Sequence, residues 1–239
     1  MKPGTNKILN FVRIDGKSSA PVLFLTTEDG GKWKDEELAT HDSFWSCFEK
    51  EEWVPEPGHN VKLGRPGTII PKLMTSIFGG NLESWWQYRN RHIYRTNECN
   101  IKFYPIGRPS TTYWKEKFST YIECSQEDYY EYCLAVRPRI ILNRIPNLTA
   151  KNRLIIVLSS KGEWQRSLSA ISDEIDRVIQ VPDARGKVAH QIFLSGERIC
   201  YAYFNMFRRG LFDKDICTFA ETIRSYVPSE IFDKVSLGT

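Results

Sequence analysis

The sequence has little of what marks several functional classes. Its six cysteines, at positions 47, 99, 124, 133, 200 and 217, form no C-x-x-C pair and no grouping with histidine. A structural zinc, an iron–sulfur cluster or any other metal or cofactor is therefore not expected, and the cysteines read as reduced thiols of a cytoplasmic protein. No stretch approaches the roughly 18–20 apolar residues of a membrane span, and no apolar leader opens the chain, so neither a membrane partner nor secretion is expected. The sequon Asn147-Leu-Thr149 is then a chance match. The absence of a G-x-x-x-x-G-K-[ST] phosphate loop counts against a nucleotide or nucleoside hydrolase or transferase. There is no internal repeat and no low-complexity linker.

What is present is enough for a sizeable core. A chain of 239 residues, 41% of them hydrophobic, supports one α/β domain over residues 1–239. The net charge of +4 suits an anionic partner without requiring one. Seven tryptophans and eleven tyrosines serve core packing in the first instance. Where they neighbour Arg and Lys, they are also the ingredients of a nucleic-acid surface. Trp85 and Trp86, beside Arg89 and Arg91, form such a group, and adjacency on a helix sends at least one of the two into the core.

The apolar run Pro21-Val-Leu-Phe-Leu25 reads as a buried strand that stops at Thr27-Glu-Asp-Gly-Gly31. In an open α/β sheet ligands bind outside the carboxyl ends of strands, which places Glu28 and Asp29 in the active region, and the glycines allow a sharp turn there. Residues 32–52 read as a partly helical excursion. A helix follows over 69–77 with Pro71 in its first turn. His92-Ile-Tyr-Arg-Thr-Asn97 reads as a second strand, delivering Asn97 to the same edge as Asp29. After an irregular stretch over 98–125 comes a helix over 126–143 that Pro138 kinks or ends. Arg153 to Leu158 is a buried strand running into Ser159-Ser-Lys-Gly162, followed by a helix over 164–179. Residues 187–194 and 198–204 are two more strands, and a helix over 213–226 closes the chain. This alternation predicts a three-layer sandwich with a central, mostly parallel sheet.

Four strand-end and turn motifs occur in a telling order: Thr27-Glu-Asp-Gly-Gly31, Gly64-Arg-Pro-Gly67, Ile93-Tyr-Arg-Thr-Asn97 and Ile155-Ile-Val-Leu-Ser159. From about residue 20 to 165 the chain thereby resembles the uracil-DNA glycosylase superfamily, in the branch whose first motif is Gly-Glu-Ala-Pro-Gly. The resemblance implies a glycosylase-like α/β fold and a monofunctional DNA N-glycosylase, a monomeric hydrolase that needs no cofactor and leaves an abasic site. It implies that Glu28 and Asp29 orient or activate the hydrolytic water, and that Asn97 reads the flipped base. Thr27, Gly67 and Asn205 complete the substrate contacts. Arg65, Lys161, Met206, Phe207, Arg208 and Arg209 become DNA contacts, with Met206 and Phe207 as the wedge that fills the hole left by the base. The partner is DNA, as a duplex with a flipped base or as a single strand.

Two departures from the pattern bear on the substrate. The aromatic that stacks on uracil is Gly67 here, which widens that wall. The final motif lacks its histidine, Tyr203-Phe-Asn-Met-Phe207 standing in its place, and His190, one strand earlier, reads as structural rather than as a replacement. Both point to a bulkier or modified base, such as a hypermodified phage cytosine removed in antiviral defence. Chemistry runs the same way: breaking an N-glycosidic bond builds positive charge on the sugar, which a nearby carboxylate stabilises, and base flipping calls for a wedge and phosphate clamps. The rival expectation is a catalytically inactive DNA-binding protein on the same fold.

Overall fold

The computed structural model describes residues 1–27, 33–49, 52–56, 66–107, 113–144, 153–159, 175–196, 198–206, 211, 213–227 and 229–235. Among the described residues one eight-stranded sheet is formed: β1 (Ile14–Asp15), β2 (Val22–Thr26), β3 (Glu52–Trp53), β4 (Glu98–Lys102), β5 (Leu154–Ser159), β6 (Arg177–Pro182), β7 (Val188–Ser195) and β8 (Arg198–Asn205). Their spatial order is β3-β1-β4-β2-β5-β8-β7-β6. The central four, β4, β2, β5 and β8, are mutually parallel. Antiparallel pairs flank them, β1 on one side and the β7/β6 ribbon on the other. The expected α/β class and mostly parallel centre are therefore present.

Helices cover both faces, as they must when central strands are apolar on both sides. On one face Leu23, Leu25, Ile101, Ile155 and Val157 pack with α1 (Pro3–Asn10), α2 (His41–Ser46), α5 (Glu116–Ile122) and α6 (Gln126–Arg144). On the other, Val22, Phe24, Ile156 and Leu158 meet α3 (Pro66–Ile77), α4 (Trp85–His92) and α7 (Asp213–Arg224), with the short α8 (Ser229–Phe232) beside them. Local chemistry explains several boundaries. Thr40 and Ser43 form a reciprocal capping box that starts α2. Gly16, at φ +104°, turns the chain after β1 where a Cβ would lie 2.8 Å from the Glu98 carbonyl.

Buried Arg137 on α6 donates to the Leu9, Phe11 and Lys102 carbonyls at 2.7, 2.6 and 3.0 Å. It thereby ties the end of α1 to the end of β4. These bonds sit one residue before Pro138, and α6 continues through that proline rather than ending there.

Three expectations are corrected. The second strand is β4, over 98–102; residues up to His92 belong to α4, and Tyr94, at φ 56°, closes the turn between them. Pro71 lies inside α3, which begins at Pro66, not in its first turn. The end of the helix expected over 164–179 is strand, since Arg177–Pro182 is β6; residues 164–174 lie outside the described ones.

Candidate functional site

The strand order places a topological switch point at the carboxyl edge of the sheet. From β2 the chain travels to β4 on one side, and from β5 it travels to β8 on the other. The carboxyl ends of β2 and β5 therefore diverge at a topological switch point, where open α/β sheets bind ligands. The registers Thr26↔Leu158 and Ser159↔Asn205 bring Thr27, one residue on, level with Ser159 and Asn205. Side chains alternate along a strand. Thr27, Ser159 and Asn205 follow Leu25, Val157 and Tyr203 at the two-residue period, so all three share the α5/α6 side of the sheet. They form one row across three adjacent strands, about 4.8 Å apart.

The row is neutral and graded in exposure. Ser159 is fully buried, Thr27 is 7% exposed and Asn205 is half-buried. Tyr203 donates its hydroxyl to the Ser159 carbonyl at 3.2 Å. The Asn205 main-chain N–H donates to His190 Nδ1 at 3.1 Å, which assigns the proton of a neutral ring to Nε2. His190 is fully buried and stacked on Phe204, with ring centroids 4.2 Å apart and 4° between planes. It is a structural support for the β8 end, as the sequence reading expected. Beside the row, Phe103 and Tyr104 extend β4 by donating to the Thr26 and Thr27 carbonyls at 2.8 and 2.7 Å.

The opposite face supplies helix starts to the same edge. The β6/β7 turn lies at the carboxyl end of β8, and its Ala184 amide donates to Asp215 in the first turn of α7. Lys72 of α3 pairs with Asp213 at 2.5 Å, while Arg224, at the end of α7, donates to the Ser76 and Ile77 carbonyls at the end of α3. The two helices thus run side by side in the same direction, both starting at the carboxyl edge. Gly67 is buried in the first turn of α3.

Two expected site residues are placed elsewhere. Asn97 precedes Glu98, which pairs with Val22, and its carbonyl accepts from the Val22 amide at 3.2 Å. It is 2% exposed at the amino edge, about five residues of strand, or roughly 16 Å, from the level of Thr27. It cannot read a base held at the carboxyl edge. Met206 is 1% exposed in the core between the sheet and α7, so it is no wedge; the alternation of β8 turns it to the apolar face. Glu28, Asp29, Arg65, Lys161, Phe207, Arg208 and Arg209 lie outside the described residues. The residues brought together are Thr27 and Asn205, with Ser159.

Sequence reasoning missed a buried polar network on the α3/α4 side of β1, β4 and β2. Asp15 is contacted by Lys102 Nζ at 3.5 Å, Arg13 Nε at 3.2 Å and Asn100 Nδ2 at 3.4 Å. Thr26 donates its hydroxyl to Asn100 Oδ1 at 2.9 Å. Glu98 accepts from the Tyr88 hydroxyl and from the Tyr94 amide, the latter at 2.8 Å. Burial pushes the Glu98 carboxyl up to about 7, against the opposing pull of those two donors. The Tyr88 phenol is raised well above its usual value by its own burial and then by the charge of Glu98. The signal was the alternation Glu98-Cys-Asn-Ile-Lys102, whose polar positions all face one side.

Among the described residues, no group of three His, Cys, Asp or Glu side chains is placed to hold a metal ion, and no helix is long and apolar enough to cross a membrane. Comparison with protein-family models, with characterised proteins and with solved structures finds nothing that matches this chain.

Proposed function

We propose that the chain is a DNA N-glycosylase whose pocket is the crevice between the carboxyl ends of β2 and β5. The observation that carries this reading is the row Thr27, Ser159, Asn205 at the switch point, because the next two residues after Thr27 are Glu28 and Asp29. In the proposed reaction a carboxylate of this pair takes a proton from water as its oxygen bonds to C1′. The C1′–N electron pair leaves with the base, which is then protonated, and the carboxylate stabilises the positive sugar on the way. With Asn97 at the far edge, base reading passes to Asn205 and Thr27. With Met206 in the core, the wedge passes to Phe207, and Arg208 and Arg209 hold phosphate. Gly67 in place of an aromatic favours a bulky, modified base over uracil.

The test uses duplex and single-stranded oligonucleotides carrying uracil, hydroxymethylcytosine or glucosylated hydroxymethylcytosine, with alkaline strand scission reporting abasic sites. Scission on a modified base is expected, with a loss of at least 100-fold in Asp29→Asn or Glu28→Gln at unchanged DNA affinity. No abasic sites on any substrate would remove the glycosylase reading. One observation favours a second reading, a DNA-binding protein without turnover: the edge position expected to carry the base-reading Asn is not filled by Asn97. That reading is left standing if oligonucleotides bind at the crevice, with loss in Asn205→Ala, and no base is released.

A further inference from the structure

We infer that His190 is the positioning residue of the crevice, the group that fixes Asn205 at the end of β8 where the neighbouring strand no longer does so; this rests on the reading of the crevice as the DNA pocket. Asn205 stands on the last rung of the β5/β8 ladder, opposite Ser159. On its other side the β7/β8 register stops earlier, at Gln191↔Tyr203. The cause lies in β7. Against β6 its register shifts, His190 pairing with Val181 but Val188 with Pro182, so that Ala189 is an extra residue. Bulges of this kind end a pairing and re-aim a side chain.

Here the re-aimed side chain is the imidazole. Its Nδ1 accepts the Asn205 main-chain N–H, a bond that a β7 carbonyl would supply in an unbroken ladder. The same ring stacks on Phe204, the residue before Asn205, and meets Phe219 of α7 with centroids 5.5 Å apart. His190 therefore holds two successive residues of β8, one by its side chain and one by its main chain. Met206, the residue after them, is anchored in the core toward α7. With Phe204 and Met206 fixed on that side, strand alternation sends the Asn205 side chain to the other, into the row with Thr27 and Ser159. Histidine suits the place because its ring packs in an apolar layer while one ring atom stays an acceptor.

Packing and acceptance are separate properties of the ring, and three substitutions divide them. His190→Phe keeps a ring against Phe204 and Phe219 and removes the acceptor. His190→Asn gives up part of the stack but sets Oδ1 as many bonds from the main chain as Nδ1. His190→Gln sets its oxygen one bond further out. In the full chain, NMR hydrogen exchange of the Asn205 amide reads the bond, thermal melting reads the packing, and fluorescence anisotropy with labelled hydroxymethylcytosine oligonucleotides, duplex and single-stranded, reads the site. His190→Phe is expected to melt near the parent, yet to speed Asn205 exchange and weaken oligonucleotide binding about tenfold or more each. His190→Asn is expected to melt lower and still keep both within about threefold, and His190→Gln to behave at the site like His190→Phe. Should His190→Asn not fold, His190→Phe decides alone by exchange and affinity at an unchanged melting temperature. The proposal is overturned if Asn205 exchange in His190→Phe matches the parent, or if affinity across the variants follows melting temperature rather than the acceptor. No oligonucleotide binding by the parent removes the DNA reading of the crevice instead, and the exchange rates then still decide whether His190 holds Asn205.

Discussion

The two faces of β4 are made from opposite materials and buried to the same degree. Cys99 and Ile101, with Phe103 beyond the strand end, enter the apolar layer under α1, α5 and α6, while Glu98, Asn100 and Lys102 enter the layer under α3 and α4. All five strand residues are buried. The apolar face gains stability from area removed from water. The polar face is tolerable only because its groups satisfy one another, and such networks cost most when half-broken. A polar residue at every second position therefore does not mark the wet side of this strand.

The largest contrast comes from breaking each face once. Asp15→Ala removes the carboxylate that Lys102, Arg13 and Asn100 share and is expected to cost about 3–5 kcal/mol in urea unfolding, since it breaks a buried charged network from one side. The double variant Asp15→Ala/Lys102→Met is expected to recover most of that loss. On the other face Ile101→Ala is expected to cost about 2–5 kcal/mol, and no second substitution on the polar face recovers it. If Asp15→Ala alone is neutral, the network contributes nothing and the two faces are not alike in consequence.

The next contrast is in pH. With the native carboxyl of Glu98 raised to about 7 and its unfolded value near the ordinary 4.3 or so, the native state holds the proton more tightly. Its contribution is fully present below about pH 4, and it is lost as pH rises through about 7. Unfolding free energy is expected to fall by a few kcal/mol across that window, with little further change from this group above it. Glu98→Gln keeps a carbonyl for the Tyr94 amide and an amide for the Tyr88 oxygen. Its stability is expected to be flatter over the same range, measured by urea midpoints from pH 4 to 8. A slope unchanged in the variant assigns the pH dependence to other groups.

Strands β2 and β5 were legible because their signal is local: Val22 to Thr26 and Leu154 to Ser159 are unbroken apolar runs ending in hydroxyls. The ends of β2 and β8 located Thr27 and Asn205, and the register through β5 aligns them. The β4 error has a physical source. Ile93 and Tyr94 have strand-like side chains, but the Tyr94 amide is held at the helix exit by the Glu98 carboxylate, a contact with the chain that follows. Displacing the strand by that much moved Asn97 from one edge of the sheet to the other. Met206 was misread for a related reason, since a wedge and a core residue share one side-chain type and only the strand alternation separates them. Ile179 fell at a helical period from Ile175, yet it pairs with Ile192 across an antiparallel ribbon, information that a single segment does not carry.

The finest contrast lies within β2, at the residue before the proposed site. Leu25 and Thr26 are neighbours of equal burial, one in each layer. Thr26 spends its hydroxyl proton on Asn100 Oδ1, which leaves its carbonyl to hold Phe103. Thr26→Val keeps the shape and removes that one bond. Asn100 retains its donors toward Asp15 and Tyr94, so the expected cost is about 1–2 kcal/mol, the penalty for one unsatisfied buried acceptor. If the cost exceeds that of Asp15→Ala, the network is organised around the Thr26–Asn100 bond rather than around the Asp15 charge. Under the proposed function, turnover in Thr26→Val is expected to stay within about twofold of the parent, because its side chain faces α3 and α4 while Thr27 and Asn205 face the other way. A large loss of turnover without loss of stability would instead draw the polar layer into the proposed site and join the two faces into one.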